Sequence, residues 1–168
     1  VKRMPEAVWV RDVETAWRAL EEMKASEAFA YDIETGGEAR KYVIGFSMAC
    51  SHSIGYYFTQ DFVDNHPDFK AAVYAFLEQD KPLKIMHNGA FELRVHRMNN
   101  IPLSDQYRDT MIMAHMVDEN FPKGLKPNAW RYTAMGGYDR PLDKWKKENG
   151  VKVDYSYIPT EILAPYGA

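Results

Sequence analysis

A single cysteine, Cys50, stands in the 168-residue sequence, so no disulfide can form within the chain. That excludes a disulfide-stapled scaffold and fits a reducing, cytoplasmic setting. No apolar run approaches the ~20 residues that span a bilayer, and no charged-then-apolar leader opens the chain, so no membrane partner is expected. An excess of positive charge is also missing. Lys and Arg number 21 against 24 Asp and Glu, a net charge of −3, which excludes a surface that is basic throughout and clamps nucleic acid by charge alone. Internal repeats and low-complexity linkers are absent. So is a starting methionine: the chain opens on Val1 and closes on Tyr166-Gly167-Ala168 without a turn or tail signal, and the expectation is a piece of a longer polypeptide. What is present is ordinary for a soluble globular protein, 46% apolar and 27% charged residues, which argues against disorder and coiled coil. A chain of this length suits one domain over residues 1–168, expected to be monomeric, and buries about 70% of its unfolded surface without a structural metal.

The order of apolar patterns sets the expected architecture. Ala7–Val10 reads as a short strand, and Asp12–Lys24 as a helix in which Val13, Ala16, Trp17, Leu20 and Met23 recur at helical spacing. Phe29–Ile33, Tyr42–Ala49 and Ile54–Thr59 read as three strands, the last two separated by a polar turn at Ser51–Ser53. Short connections make them an antiparallel meander. The pattern then changes. Phe69, Ala72, Val73, Phe76 and Leu77 mark an amphipathic helix stopped by Asp80-Lys81-Pro82, and Leu83–Met86 is a short strand. A helix over about Ala90–Met98, a strand near Gln106-Tyr107 and a nearly all-apolar helix over Thr110–Val117, expected to be buried on most sides, complete the alternation. Asn120–Asp154, richer in Lys, Asn, Gly and Pro, is expected to cover one edge with short helices. The fold class is α/β: a mixed sheet, meander first and strand–helix units after, with helices on both faces.

Three segments carry chemistry. In Asp32-Ile33-Glu34-Thr35, residues two apart on a strand share a face, so Asp32 and Glu34 project together while Tyr31 and Ile33 point the other way. Paired carboxylates of this kind suit a hard divalent ion, and they equally suit a solvated strand face entering the Gly36-Gly37 turn. In His87-Asn88-Gly89-Ala90-Phe91-Glu92 a strand ends, a Gly-containing turn follows, and an acid stands in the first turn of a helix, at the strand end where α/β proteins place ligands. Asn88 could also serve as an N-cap, and Glu92 could simply favour the helix dipole. In Pro159–Tyr166, Pro165 suits the first position of a new helix, which would put Tyr166 in its opening turn. A partner four residues later would share its face, two positions past Ala168. Otherwise Tyr166 is an interfacial aromatic with its hydroxyl in water.

Taken together, these segments resemble the DEDD superfamily of 3′→5′ exonucleases, tyrosine subclass, and in particular the proofreading exonuclease domain of family A (polymerase I-like, bacterial or phage) DNA polymerases. Asp32 and Glu34 match the Asp-x-Glu motif. Asn88, Phe91 and Glu92 match the second motif, with glutamate where the family has aspartate. Tyr166 matches the start of Tyr-x-x-x-Asp, whose acid would fall beyond Ala168. Asp109-Thr110-Met111, Gly124-Leu125-Lys126 and Arg131-Tyr132 look like the family's connecting segments, so that the resemblance runs over about Phe29–Ala168. It implies a ribonuclease H-like fold, single-stranded DNA 3′ ends as substrate, a polymerase domain in the same parent chain, and two Mg²⁺ or Mn²⁺ ions ~3.5–4 Å apart. On that basis Asp32 bridges both ions, Glu34 serves the nucleophile side, Glu92 the other ion, and Tyr166 orients the attacking water. A phenol with a pKa near ~10 is a poor base at neutral pH, so activation falls to the metal. Thr35, His87, Asn88 and Phe91 would hold the terminal nucleotide, aromatic stacking replacing a basic surface. An RNase D-like RNA exonuclease, or a catalytically silent exonuclease fold used for binding, stand as alternatives.

Several other residues have plainer readings. Asp109 reads as the N-cap of the following helix, and His115 as a core histidine. Met111, Met113 and Met116 read as core filler. Arg140, Lys144, Lys146, Lys147 and Lys152 around Trp145 are interleaved with Asp139, Asp143, Glu148 and Asp154, so a solvated helix face is favoured over a phosphate-binding patch.

Overall fold

The structure is a computed structural model that describes residues 5–150 and 154–168. Six strands form one sheet: β1 (Glu6–Trp9), β2 (Ala28–Gly36), β3 (Tyr42–Ala49), β4 (Ile54–Thr59), β5 (Leu83–Met86) and β6 (Tyr107–Asp109), in the order β1-β4-β3-β2-β5-β6. The meander β2-β3-β4 is antiparallel, as its short connections require. The outer pairs β1–β4, β2–β5 and β5–β6 are parallel, each joined through at least one helix. The helices are α1 (Val13–Ala25), α2 (Gln60–Asp64), α3 (Pro67–Glu78), α4 (Gly89–Met98), α5 (Thr110–Val117), α6 (Leu125–Tyr132), α7 (Arg140–Asn149) and α8 (Thr160–Gly167), with single 3₁₀ turns at Glu38–Arg40 and Tyr155–Tyr157. Local chemistry sets several starts: Asp12 accepts from the Thr15 amide at 2.8 Å, Thr59 from Phe62, and Pro67 opens α3.

Period-2 alternation splits the strands between two cores. Tyr56 and Phe58 of β4, with Tyr31 and Ile33 of β2, enter the large core with α1, α3 and α4. Tyr57 points the other way, into a smaller core with Leu142 of α7 and Leu163 and Ala164 of α8. Helices therefore cover both faces, as expected. Asp32 and Glu34, out of phase with Tyr31 and Ile33, fall on the α7–α8 face.

Five local expectations are corrected. Helix α5 has no buried residue: Ile112 is 55% exposed, Met116 81% and Val117 73%. It leaves the C-terminal end of the edge strand β6 and packs on one side only, so apolar composition does not imply burial there. Met113 and Met116 are accordingly not core filler, and His115 is exposed rather than a core histidine. Pro165 lies inside α8, which begins five residues earlier at Thr160, so Tyr166 sits in a last turn and not a first. Asn88 occupies the N-cap position of α4, but its side chain makes no capping bond because its backbone is left-handed (φ 69°). Of the basic cluster, Lys152 lies outside the described residues.

Candidate active site

Strand β2 continues past the segment Ala28–Ala30 that pairs with β5, so Asp32 stands beyond the end of that ladder. A register shift between Glu34 and Thr35 follows, opposite Gly45 and Val43 of β3. Burial pushes the Asp32 carboxyl up to about 6, with a hydrogen bond to Glu92 opposing part of the rise. Glu34 is more deeply placed. Burial and then the Asp32 charge drive its carboxyl well above the usual range, while Arg40 and Lys146 pull it back down.

Glu92 reaches the same point from α4 and is only 3% exposed. Burial first, then the Asp32 charge, raises it to about 8, and the two side chains are hydrogen-bonded. Two carboxyls so close and so buried favour holding one proton between them over carrying two charges. Glu92 Oε2 is buried with no partner.

What sets Glu92 there is the turn after β5. Asp109, at the end of β6, accepts from the Asn88 amide through Oδ1 and the Gly89 amide through Oδ2, each at 3.0 Å. The same Oδ1 accepts from Met111 at 2.9 Å, so one carboxylate caps both α4 and α5. Gly89 makes the approach possible, since a Cβ there would lie 2.4 Å from the Tyr107 ring. Thr110 donates to the Met86 carbonyl at 3.1 Å and lies 2.9 Å from His87 Nδ1. A carbonyl only accepts, so the hydroxyl proton is committed and His87 Nδ1–H donates to Thr110.

The opposite wall belongs to α8. Gly167 lets the helix end settle on Tyr57 and Glu34; a Cβ there would stand 2.9 Å from the Tyr57 ring and 3.6 Å from Glu34 Cγ. Tyr166 stacks on Tyr138 with ring centres 5.6 Å apart and planes 18° from parallel, and Tyr155 meets it edge-on at 6.4 Å. Burial, then the Glu34 charge, pushes the Tyr166 phenol far above its ordinary value, so it keeps its proton at any working pH. Tyr138 rises to about 12, from burial and then nearby carboxylates including Asp32 and Glu34. Between these walls lies a cleft of about 580 Å³, floored by Asp32 and Ser47, with His87 beside them and Met113, Val117, Leu125 and Tyr132 along α5 and α6.

Of the predicted residues, Asp32, His87 and Tyr166 line the cleft, while Glu92 and Glu34 are buried behind Asp32 and do not line it. Thr35 is buried in the β2–β3 ladder, Asn88 is exposed, and Phe91 packs against the large core with Arg94 over its ring, so none of the three lines the cleft. Sequence reading treated Asp109 as a cap for α5 and missed its hold on α4. It also passed over Tyr138, which no motif marks. Among the described residues no three His, Cys, Asp or Glu side chains converge closely enough to enclose an ion. The donor chemistry nevertheless fits a hard divalent cation: two carboxylates pressed onto one proton, a spare buried oxygen on Glu92, and Glu34 within the field of Asp32.

Comparison with known proteins points the same way. Residues 7–135 match the family model described as 3′–5′ exonuclease. The chain is 28% identical over 158 residues to a DNA polymerase of Escherichia phage T5, covering 83% of this chain and 18% of that protein. It is 37% identical over 93 residues to a DNA polymerase of Bacillus phage SP01, covering 54% and 10%. The chain therefore spans less than a fifth of either relative's length. In fold it is similar to Trypanosoma brucei RNase D in complex with GMP, with a TM-score of 0.68 at 12% identity over 95% of this chain and 52% of that one.

Proposed function

Because the chain belongs to the 3′–5′ exonuclease family, we propose that it removes nucleoside monophosphates from the 3′ end of single-stranded DNA, as the proofreading part of a longer DNA polymerase. The observation that carries this reading is the meeting of Asp32 and Glu92, from two distant segments, with Asp32 opening onto a cleft that Tyr166 also lines and Glu92 buried behind it. Asp32, Glu34 and Glu92 would hold two divalent cations, Mg²⁺ or Mn²⁺. When bound, such ions lower the pKa of water and stabilise the leaving oxygen of a phosphodiester.

The chain's own side chains do the rest. Tyr166, held protonated between Tyr138 and Tyr155, can donate or accept a hydrogen bond and so orients water without taking its proton. The apolar walls of α5 and α6 offer base-sized faces with few polar groups, which suits binding that is indifferent to sequence. His87, fixed by Thr110, borders the floor where a terminal sugar or phosphate would rest. DNA is favoured over RNA because both phage relatives are DNA polymerases. The likeness to RNase D is one of fold.

The test is the parent polypeptide incubated with 5′-labelled single-stranded DNA and Mg²⁺, beside its Asp32→Ala variant. A ladder shortening from the 3′ end, abolished by the substitution, supports the reading. No ladder with Mg²⁺ or Mn²⁺ overturns it in favour of a binding module, and equal degradation of RNA favours the ribonuclease alternative.

A further inference from the structure

A buried carboxylate cluster that opens onto the cleft through Asp32 repels the substrate it is proposed to take, and among the described residues no Lys or Arg lines the cleft to offset that. The compensating charge stands just outside it. Arg40, from the turn after β2, lies 5.8 Å from the centre of the Tyr155 ring, and Lys146 of α7 lies 4.8 Å from the same ring. Tyr155 in turn packs edge-on against Tyr166. Its place is fixed by Asp154, which accepts from the Gly37 amide at 2.9 Å and from the Ser156 amide at 2.9 Å, tying the 3₁₀ turn to the end of β2.

Three neighbouring cations are engaged elsewhere. Lys126 pairs with Asp139 and Asp143, Lys144 with Glu148, and Arg140 lies over Trp130. Among the described residues neither Arg40 nor Lys146 is in an ion pair. Both are near enough for their charge to reach Glu34.

We propose that Arg40, Tyr155 and Lys146 form a phosphate-binding rim, in which the two cations take an internucleotide phosphate of the strand next to its terminal nucleotide while the tyrosine ring supports them. The inference rests on the exonuclease reading and adds a subsite to it. An aromatic ring beside backbone-tracking cations is the general means of holding single strands without reading sequence. It also reassigns Lys146 from a solvated helix face to a site residue.

The rim is tested through salt. For single strands, log K falls with log[salt] by about 0.7 per neutralised phosphate. We would measure kcat and KM of the full parent chain on a short 5′-labelled oligothymidylate between about 50 and about 200 mM KCl. Arg40→Gln and Lys146→Gln are each expected to flatten the salt slope of kcat/KM by up to about 0.7 and to raise KM about three- to tenfold, with kcat within about twofold. Lys144→Gln should leave the slope unchanged. A lowered melting temperature with an unchanged slope would overturn the proposal, leaving the cations as mere supports of Tyr155. Should a variant fail to fold, wild-type protein assayed on oligonucleotides carrying one neutral methylphosphonate linkage at a time gives the same readout: one linkage must flatten the slope, and none doing so overturns the rim. Anisotropy of the same oligonucleotide bound without metal reads the slope even if no hydrolysis occurs, so failure of the rim and failure of the exonuclease reading are told apart.

Discussion

Glu92 and Asp32 share a proton because burial makes two adjacent carboxylate charges costly, and the sign of the resulting pH dependence follows. Both groups have folded pKa values raised above their unfolded ones. Their contribution to stability is fully present below the ordinary carboxylate range and is lost as pH rises, through about 6 for Asp32 and about 8 for Glu92. In EDTA, the protein is therefore expected to melt at a lower temperature at pH 8.5 than at pH 5. Glu92→Gln holds that side chain neutral and able to donate to Asp32. It should melt like wild type at pH 5 and several degrees higher at pH 8.5, a difference on the scale of about 1–2 kcal/mol, while abolishing hydrolysis. A thermal-melt series across pH, with and without Mg²⁺, checks this. Added Mg²⁺ should narrow the wild-type difference, since a cation supplies the charge the proton supplied.

Among the elements, the starts of α4 and α5 are joined through Asp109, and that carboxylate decides where Glu92 stands. Asp109→Ala removes acceptors from three backbone amides. We expect a loss of about 1–3 kcal/mol, as for strong caps, hence a fall of roughly 3–10 °C in Tm. Hydrogen exchange should quicken at Asn88, Gly89 and Met111 while core strands keep their protection; unchanged exchange at Asn88 and Gly89 would refute the role. Most of the elements are legible in the sequence where a period is clean. Strands β3, β4 and β5 and helix α5 fall where their apolar patterns place them. The failures share a cause. The exposure of α5, the place of Pro165 and the second duty of Asp109 depend on what lies alongside, and an edge strand with one neighbour is not written in the periodicity of the helix that follows it. The site divides the same way. The candidates Asp32 and Glu34 are read from strand phase and Glu92 from the family resemblance, whereas Tyr138 and the proposed Arg40–Tyr155–Lys146 rim come from tertiary packing of segments with no motif of their own.

In the whole molecule, the two cores share one sheet: Tyr57 serves the smaller and its neighbours Tyr56 and Phe58 the larger. Neither core can lose its packing without exposing the back of the other's strands. The 168-residue chain should therefore unfold in one transition, with tryptophan fluorescence and far-ultraviolet circular dichroism giving coincident melts. Two separated transitions would show that α7 and α8 form an independent unit. The same division of β2 bears on how such a domain drifts over generations. Tyr31 and Ile33 anchor the strand from one side, so a lineage that loses Asp32 or Glu34 keeps its fold and, by relieving buried charge, gains robustness. Selection for foldability alone would erase both acids. On the exonuclease reading, the two buried acids are accounted for by chemistry and not by the needs of folding.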